Sequence, residues 1–432
     1  MWYVSTRGMA PPVNFEGALF SGYAPDGGLF MPEELPQLDR QTLCQWSTLS
    51  YPGLVKELCA LFIGPELIPR EDLNGLIDRA FSRFRHREVV HLSRLKNGLN
   101  VLELWHGVTY AFKDLSLCCT AQFLQYFLDK REKHVTVVVG TSGDTGSAAI
   151  ESVQGAKNVD IIVLLPKGHC SKIQELQMTT VLKENVHVFR VEGNSDELDE
   201  PIKAVFTDVA FVKKHNLMSL NSINWSRVLV QMAHYFFAYF RTVQQGDFSL
   251  SEAVNPTLAS AMDIQVPYNM ERIFWLLSGS DSQMTRALME QFERTQSLNL
   301  PRDLHSKLSE AVTSASVSDE AITQAMGRCW DENQYLLCPH SAVAASCHYQ
   351  WTDRQQSSIP RCCLAPASAA KFPEAVLAAG LTPEIPEEIL ALEHKETRCT
   401  LMRRGDDWTQ ILRDTIEDLS RRWRGHAPNS SE

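Results

Sequence analysis

The amino-acid sequence predicts an α/β protein whose parallel β-sheets are covered by helices on both faces. Residues 135–139 are an uninterrupted run of β-branched residues, which is typical of a strand buried on both faces. Two further apolar runs, at residues 161–165 and 186–191, alternate with segments of helical periodicity. This alternation indicates β-α-β units, whose strands run parallel.

The first half of the chain is assigned from periodicity, capping residues and turn residues. Residues 22–32 are dense in glycine and proline and predict a turn. A helix is predicted at 70–84, because Leu73, Ile77 and Phe81 share one face and two acidic residues open it. The remaining predicted elements are a strand at 101–104, helices at 111–130, 142–154 and 171–182, and a helix at 195–215 capped by Ser195.

The second half is predicted to be mainly helical. A long helix is expected at 225–244, and helical material continues to about residue 330. One more amphipathic helix is predicted at 406–424, with Trp408, Leu412 and Leu419 in its apolar stripe. Acidic residues open this helix and arginines close it, as the helix dipole favours.

Composition bounds the class of protein. The chain has 432 residues, enough for two or three domains, and a net charge of -11 with no basic cluster, so no nucleic-acid partner is predicted. We expect a cytoplasmic protein without a membrane partner, because no signal peptide and no membrane-spanning run is visible. Unconventional secretion would leave no mark in the sequence.

The cysteines and histidines predict no metal site. The eleven cysteines are odd in number and scattered, which is typical of reduced thiols in a cytosolic protein. The nearest approaches to a zinc motif are Cys338 with His340 and Cys347 with His348, and neither has the spacing of zinc ligands.

Lys113 lies where a predicted strand ends and a helix begins. A lysine forms a Schiff base only when its amine can lose a proton, which desolvation or nearby positive charge promotes. The helix N-terminus supplies positive potential, and the neighbouring Tyr110 and Phe112 exclude water. Taken alone, this pattern is more typical of a surface lysine at the start of a helix.

A glycine-rich segment, residues 140–146, also joins a predicted strand to a helix. Gly140, Gly143 and Gly146 lack Cβ atoms, so backbone N–H groups can converge on an anion, and the helix dipole adds to the attraction. No Lys-Ser/Thr pair follows the last glycine, so this is not a P-loop. The alternative is a tight turn without a ligand.

Together with five other segments, these two motifs resemble the threonine synthase family of pyridoxal-phosphate enzymes, in particular its branch of threonine synthase-like phospho-lyases. The matching segments occur in family order at residues 3–8, 24–29, 106–114, 140–146, 221–225, 339–344 and 370–373.

The resemblance implies a fold-type II architecture similar to the tryptophan synthase β subunit: two parallel-sheet domains, the second truncated, and an N-terminal helical unit. The implied domains are an N-terminal threonine synthase domain, a cofactor-binding α/β domain that holds Lys113 and the glycine loop, a remnant of a second α/β domain and a C-terminal helical tail. Their predicted ranges are 1–92, 93–225, 226–385 and 386–432.

The resemblance also implies a cofactor, a substrate class and site residues. Lys113 would bind pyridoxal 5'-phosphate and act as the catalytic residue, and the loop residues Ser142, Gly143, Asp144 and Thr145 would contact the cofactor and the substrate carboxylate. The implied reaction eliminates phosphate from O-phosphothreonine or O-phosphohomoserine, giving 2-oxobutyrate, ammonia and phosphate. The alternative reaction is synthesis of threonine from O-phosphohomoserine. The resemblance favours a homodimer.

The sequence departs from the family pattern where the cofactor phosphate should bind. Family members carry a second glycine loop, Gly-Asn-Phe-Gly, whereas here the helix at 225–244 passes through residues 245–247 directly into Phe248. In addition, Pro366 stands where a hydroxyl residue usually bonds the pyridine nitrogen, with Ser368 as a substitute, and Cys338 replaces a common Asp. A second hypothesis follows: a non-catalytic variant, produced by alternative splicing or truncation, that acts by binding or as a secreted signalling factor.

Overall fold

A computed structural model of the chain describes most of its residues. The described ranges are 1–131, 133–194, 197–241, 257–259, 268–295, 297–311, 316–354 and 361–426. The predicted cap at Ser195, the last three residues of the helix predicted at 225–244, and the junction before Phe248 lie outside these ranges. No helix within them is long and apolar enough to cross a membrane.

Strands and helices alternate through the first half of the chain, and helices dominate the second half. The described strands are β1 (Tyr3–Ser5), β2 (Phe30–Pro32), β3 (His91–Arg94), β4 (Leu99–Glu103), β5 (Val135–Gly140), β6 (Val159–Pro166), β7 (Val186–Val191), β8 (Leu217–Met218), β9 (Arg361–Ala365) and β10 (Thr400–Met402). The described α-helices are α1 (Phe15–Leu19), α2 (Arg40–Trp46), α3 (Tyr51–Phe62), α4 (Arg70–Phe81), α5 (Lys113–Arg131), α6 (Asp144–Val153), α7 (Lys172–Thr179), α8 (Asp199–Phe206), α9 (Val209–His215), α10 (Trp225–Arg241), α11 (Met270–Leu277), α12 (Ser282–Thr295), α13 (Arg302–Ala311), α14 (Asp319–Asn333), α15 (Pro339–Arg354), α16 (Pro373–Ala378), α17 (Glu387–Leu390) and α18 (Trp408–His426).

The larger sheet is parallel throughout, with strand order β10-β7-β6-β5-β8. The alternating side chains of β5 enter two cores: Val137 and Val139 pack with α5 and α6, while Val138 packs with α8 and α18. This two-sided burial confirms the prediction from the β-branched run, because a strand covered on both faces has no polar side.

A second, smaller sheet has the order β3-β4-β9. The parallel pair β4 and β9 packs against α14 and α15. After β4 the chain crosses to the larger sheet, where α5 covers one face. The start of α5 therefore lies between the two sheets.

The helix predicted as one element at 195–215 is two helices, α8 and α9. The prediction was wrong because Asp208 caps a new helix: its Oδ1 accepts from the Phe211 N–H at 3.0 Å. A side-chain oxygen that bonds a nearby N–H stabilises a helix start and competes with helix continuation.

The predicted C-terminal tail contributes more than a helix. Its strand β10 extends the larger sheet by pairing with β7, and the apolar stripe of α18 buries Leu412, Ile416 and Leu419 beside α8 and α9. The predicted ranges 93–225 and 386–432 thus contribute strands to one sheet, while the three predicted domain boundaries stay a prediction.

The packing of α18 gives a prediction on stability. Leu412 is fully buried under the larger sheet, so Leu412→Ala should lower the free energy of unfolding by about 2–5 kcal/mol, through lost transfer energy and the cavity left behind. The matched control is Leu377→Ala, because the Leu377 side chain is 62% exposed and its loss should change stability by less than about 0.5 kcal/mol. Denaturant titration followed by circular dichroism measures both, and equal effects would show that α18 is not docked as described.

Candidate active site

The segment before Lys113 is held against the segment that follows β9. The Phe112 N–H donates to the Pro366 carbonyl at 2.7 Å, and the Ser368 N–H donates to the Tyr110 carbonyl at 3.1 Å. Pro366 takes part only through its carbonyl, so its lack of an N–H costs nothing here. These bonds fix the first residue of α5, Lys113, between the two sheets.

A buried carboxylate shapes the same segment. The Asp114 side chain accepts from the Thr109 N–H at 2.8 Å and from the Thr109 hydroxyl at 2.7 Å. A Cβ on Gly107 would lie 2.3 Å from the Asp114 carboxylate, so this approach requires glycine. Tyr110 has a φ of 59°, an unusual conformation for a bulky residue, and therefore carries local strain. Burial raises the pKa of Asp114 to about 6.

The amine of Lys113 is electrostatically suited to lose its proton. Burial is the main cause that lowers its pKa to about 8, and the positive charges of Arg227 and Lys371 lower it further. The charge of Asp144 acts in the opposite direction. The Lys113 Nζ atom lies 5.4 Å from the centre of the apolar Phe112 ring.

The glycine loop lies at the C-terminal end of β5 and leads into α6. Gly143 has a φ of 134°, and a Cβ there would lie 2.5 Å from the Gln174 side chain, so the position requires glycine. The Thr141 hydroxyl accepts from the N–H groups of Gly143 at 3.0 Å and Gly146 at 2.8 Å. Two of the N–H groups predicted to face an anion are therefore used within the loop. Ser142 keeps partial exposure.

Lys371 joins the two predicted motifs and was missed as a site residue. Its Nζ lies 2.6 Å from Asp144 Oδ1 and donates to the Thr109 carbonyl at 2.9 Å. Gln174 donates to the same Asp144 oxygen at 2.9 Å. Lys371 and Lys113 together hold the pKa of Asp144 well below its usual range despite burial. The sequence signals were a lysine inside the otherwise apolar segment 369–373 and the family match at 370–373.

Two further buried bases lie in this region. Burial lowers the pKa of His340 to about 4, and its ring centre is 4.8 Å from that of Phe372. Burial also lowers the pKa of Arg227 to about 10, and this guanidinium donates to the Leu220 carbonyl at 3.0 Å. Arg227 Nε is buried without a hydrogen-bond partner among the described residues. The positive charges of Lys113, Lys371 and Arg227 in this region favour an anionic ligand.

Comparison with known proteins shows that the chain is similar to threonine synthases. A family model described as "Threonine synthase N terminus" matches residues 2–81, and one described as "Threonine synthase, C-terminal" matches residues 341–414. The chain is 79% identical to "Threonine synthase-like 2" of Homo sapiens, with 100% of both chains covered.

Two solved structures share the fold. A pyridoxal-phosphate-bound threonine synthase from Brucella melitensis aligns with a TM-score of 0.86 at 30% identity, covering 98% of this chain and 100% of that one. Yeast threonine synthase aligns with a TM-score of 0.85 at 31% identity, covering 97% and 99%. These alignments confirm the predicted fold-type II class.

The human relative is longer than this chain. The alignment runs over 484 positions and covers both chains fully, whereas this chain has 432 residues. At least about fifty positions of the relative therefore have no counterpart here.

The electrostatics of the site give a prediction on Lys113. The reactivity of its amine toward an acylating reagent should rise with a midpoint near pH 8, below the ordinary lysine value of 10.5. Asp144→Asn should lower this midpoint, because the carboxylate favours the ammonium form, and Lys371→Met should raise it, because a repelling charge is removed. Competitive labelling with mass spectrometry measures the midpoint, with surface lysines of the same digest as internal references. A midpoint in the range of those references would contradict the described environment.

Proposed function

Since this chain belongs to the threonine synthase family, we propose that it is a pyridoxal-phosphate-dependent phospho-lyase in which Lys113 holds the cofactor. The observation that carries the proposal is the half-buried Lys113, whose pKa is lowered to about 8 beside a glycine loop at a helix start. A lysine that is partly neutral near pH 7 can attack an aldehyde, whereas an ordinary surface lysine is almost fully protonated.

The described residues fit one end of the cofactor. Lys113 suits the aldehyde, and the start of α6 with Ser142 and Thr145 suits a carboxylate or another anion. Arg227 adds a buried guanidinium whose Nε has no partner among the described residues. When bound, pyridoxal phosphate supplies an electron sink for the carbon that loses its proton.

The protein's own groups would handle the proton and the charge. The Lys113 amine, with a pKa of about 8, can accept a proton from the substrate α-carbon and return it near neutral pH. Lys371 keeps Asp144 ionised and ties it to the Thr109 carbonyl. This buried pair therefore positions the glycine loop relative to the segment that precedes Lys113.

The proposed substrates are O-phospho amino acids. With O-phosphothreonine, the α-carbon loses a proton and the bond between the β-carbon and the phosphate oxygen breaks. The β-carbon then gains a proton, and water replaces the amine, which leaves as ammonia. The products are 2-oxobutyrate, ammonia and phosphate. The cationic surroundings of Lys113, contributed by Arg227 and Lys371, are consistent with a dianionic leaving group, because positive potential stabilises the charge that develops on it.

Two alternatives share the same family membership. One is threonine synthesis from O-phosphohomoserine, since the threonine synthases of Brucella melitensis and yeast align with this chain over almost their whole length. The other is a non-catalytic variant that acts by binding, including outside the cell. The departure from the family pattern after the helix predicted at 225–244 supports this second alternative, because the second glycine loop that the resemblance implies is not found there in the sequence.

The first prediction tests Lys113. Borohydride treatment of the protein with pyridoxal phosphate should fix the cofactor on the peptide that contains Lys113, detected by mass spectrometry. Lys113→Ala should abolish this label and lower phosphate release from O-phosphothreonine by at least about 10²-fold, because the proton-transfer group is lost. The matched control is Lys157→Ala, which removes an exposed lysine. Label that persists on another lysine in Lys113→Ala would refute the assignment.

The second prediction concerns cofactor affinity. Each charge-assisted bond to the cofactor phosphate contributes about 1.5–3 kcal/mol, so losing two would weaken binding by roughly 10²–10⁴-fold. Titration of the cofactor-free protein, followed by absorbance, should therefore give a much higher dissociation constant than the same titration of the human relative. Equally tight binding, with release of phosphate, would show that the missing positions are dispensable. Absent binding in a folded protein would favour the non-catalytic alternative.

A further inference from the structure

The turn between α4 and β3 brings two histidines and a glutamate together at the surface. The ligand atoms of His86, Glu88 and His91 all lie within 4.8 Å of one another. The Glu88 carboxylate is 3.8 Å from His91 Nδ1. Ligand atoms of one tetrahedral zinc ion lie about 3.4 Å apart, so side-chain rotations that bring these atoms closer by up to about 1.5 Å would close the set.

The backbone of this turn is unusual and is anchored in the core. Val89 has a φ of 70°, which is a rare conformation for a β-branched residue, and its N–H donates to the His86 carbonyl at 2.9 Å. Val89 and Val90 are both buried in the N-terminal core. Their burial holds the turn in place and keeps Glu88 and His91 on the same side of it.

His86 supplies the first nitrogen. Its side chain is half-buried. His86 Nδ1 accepts from the Glu88 N–H at 3.2 Å, which leaves Nε2 for a ligand.

His91 supplies the second nitrogen. Its Nδ1 is buried and has no hydrogen-bond partner among the described residues. A surface ion pair explains the position of Glu88 but leaves the close packing of the rings unexplained: the centres of His86 and His91 are 4.9 Å apart. A third imidazole lies beside them, because the ring centre of His106 is 4.8 Å from that of His86.

The guanidinium of Arg85, which precedes His86, is engaged elsewhere. It lies 4.0 Å from the centre of the Tyr110 ring and 3.3 Å from Glu388. His106 Nε2 is 2.8 Å from the Glu103 carboxylate, which adds negative charge on the inner side of the cluster.

We propose that His86, Glu88 and His91 form a binding site for a divalent transition-metal ion, with Zn²⁺ as the best match. Two imidazole nitrogens and one carboxylate oxygen are a common zinc ligand set, and three protein ligands leave one position open for water. The Arg85 N–H donates to the His106 carbonyl at 2.9 Å, so a bound ion would brace the segment that leads to Lys113. The site stands independently of the cofactor.

Titration of the full chain, stripped of metal and free of cofactor, tests the site. Calorimetry should show that Zn²⁺ binds at this site. Co²⁺ should give the visible spectrum of a site with nitrogen and oxygen ligands, without the charge-transfer band of a thiolate. The spectrum separates this site from the eleven cysteines. Zn²⁺ should also raise the melting temperature of the wild-type protein.

Single substitutions decide the assignment. His86→Ala and His91→Ala should each weaken binding by roughly tenfold or more and remove the cobalt spectrum and the thermal shift. The exposed control His169→Ala should leave all three readouts unchanged. Circular dichroism verifies that each variant is folded, and Glu88→Gln is a milder second test that keeps the side-chain shape. Absence of binding to the wild type, or binding unchanged in both histidine variants, would overturn the proposal.

Discussion

The buried ion pair between Lys371 and Asp144 is the interaction on which the candidate site depends. Its two residues come from opposite parts of the molecule: Asp144 opens α6 on the larger sheet, and Lys371 follows β9 of the smaller sheet. Removing one partner of a buried pair leaves an uncompensated charge, which is strongly destabilising. The pair therefore couples the position of the glycine loop to the segment before Lys113, which Lys371 also contacts through the Thr109 carbonyl.

The site lies between two sheets because the chain crosses from one to the other immediately before Lys113. The strand before the crossing, β4, belongs to the smaller sheet, while α5 covers the larger one. Backbone hydrogen bonds to Pro366 and Ser368 hold the crossing segment in place, although it belongs to neither sheet. This arrangement leaves Lys113 half-buried between the two sheets. A cofactor bound to Lys113 would contact residues from both sheets.

The described residues bring together Lys113, the glycine loop and three buried bases, whereas at least about fifty positions of the human relative have no counterpart in this chain. The described part of the smaller sheet has three strands. Family membership and catalytic competence are therefore separate questions for this chain, because a fold tolerates losses that an anion site does not.

The sequence alone determined the elements whose cause is local. The β-branched run of β5 predicted a doubly buried strand, and the family motifs predicted Lys113 and residues 142–145, because strand patterning and glycine turns are written in consecutive residues. Only the tertiary structure decided which distant residues meet. Lys371 lies 227 positions after Asp144, and their contact arises from packing between elements, which no window of neighbouring residues records. His86, Glu88 and His91 lie within six residues but do not have the spacing of a zinc motif, and the turn that brings them together depends on the burial of Val89 and Val90 in the N-terminal core.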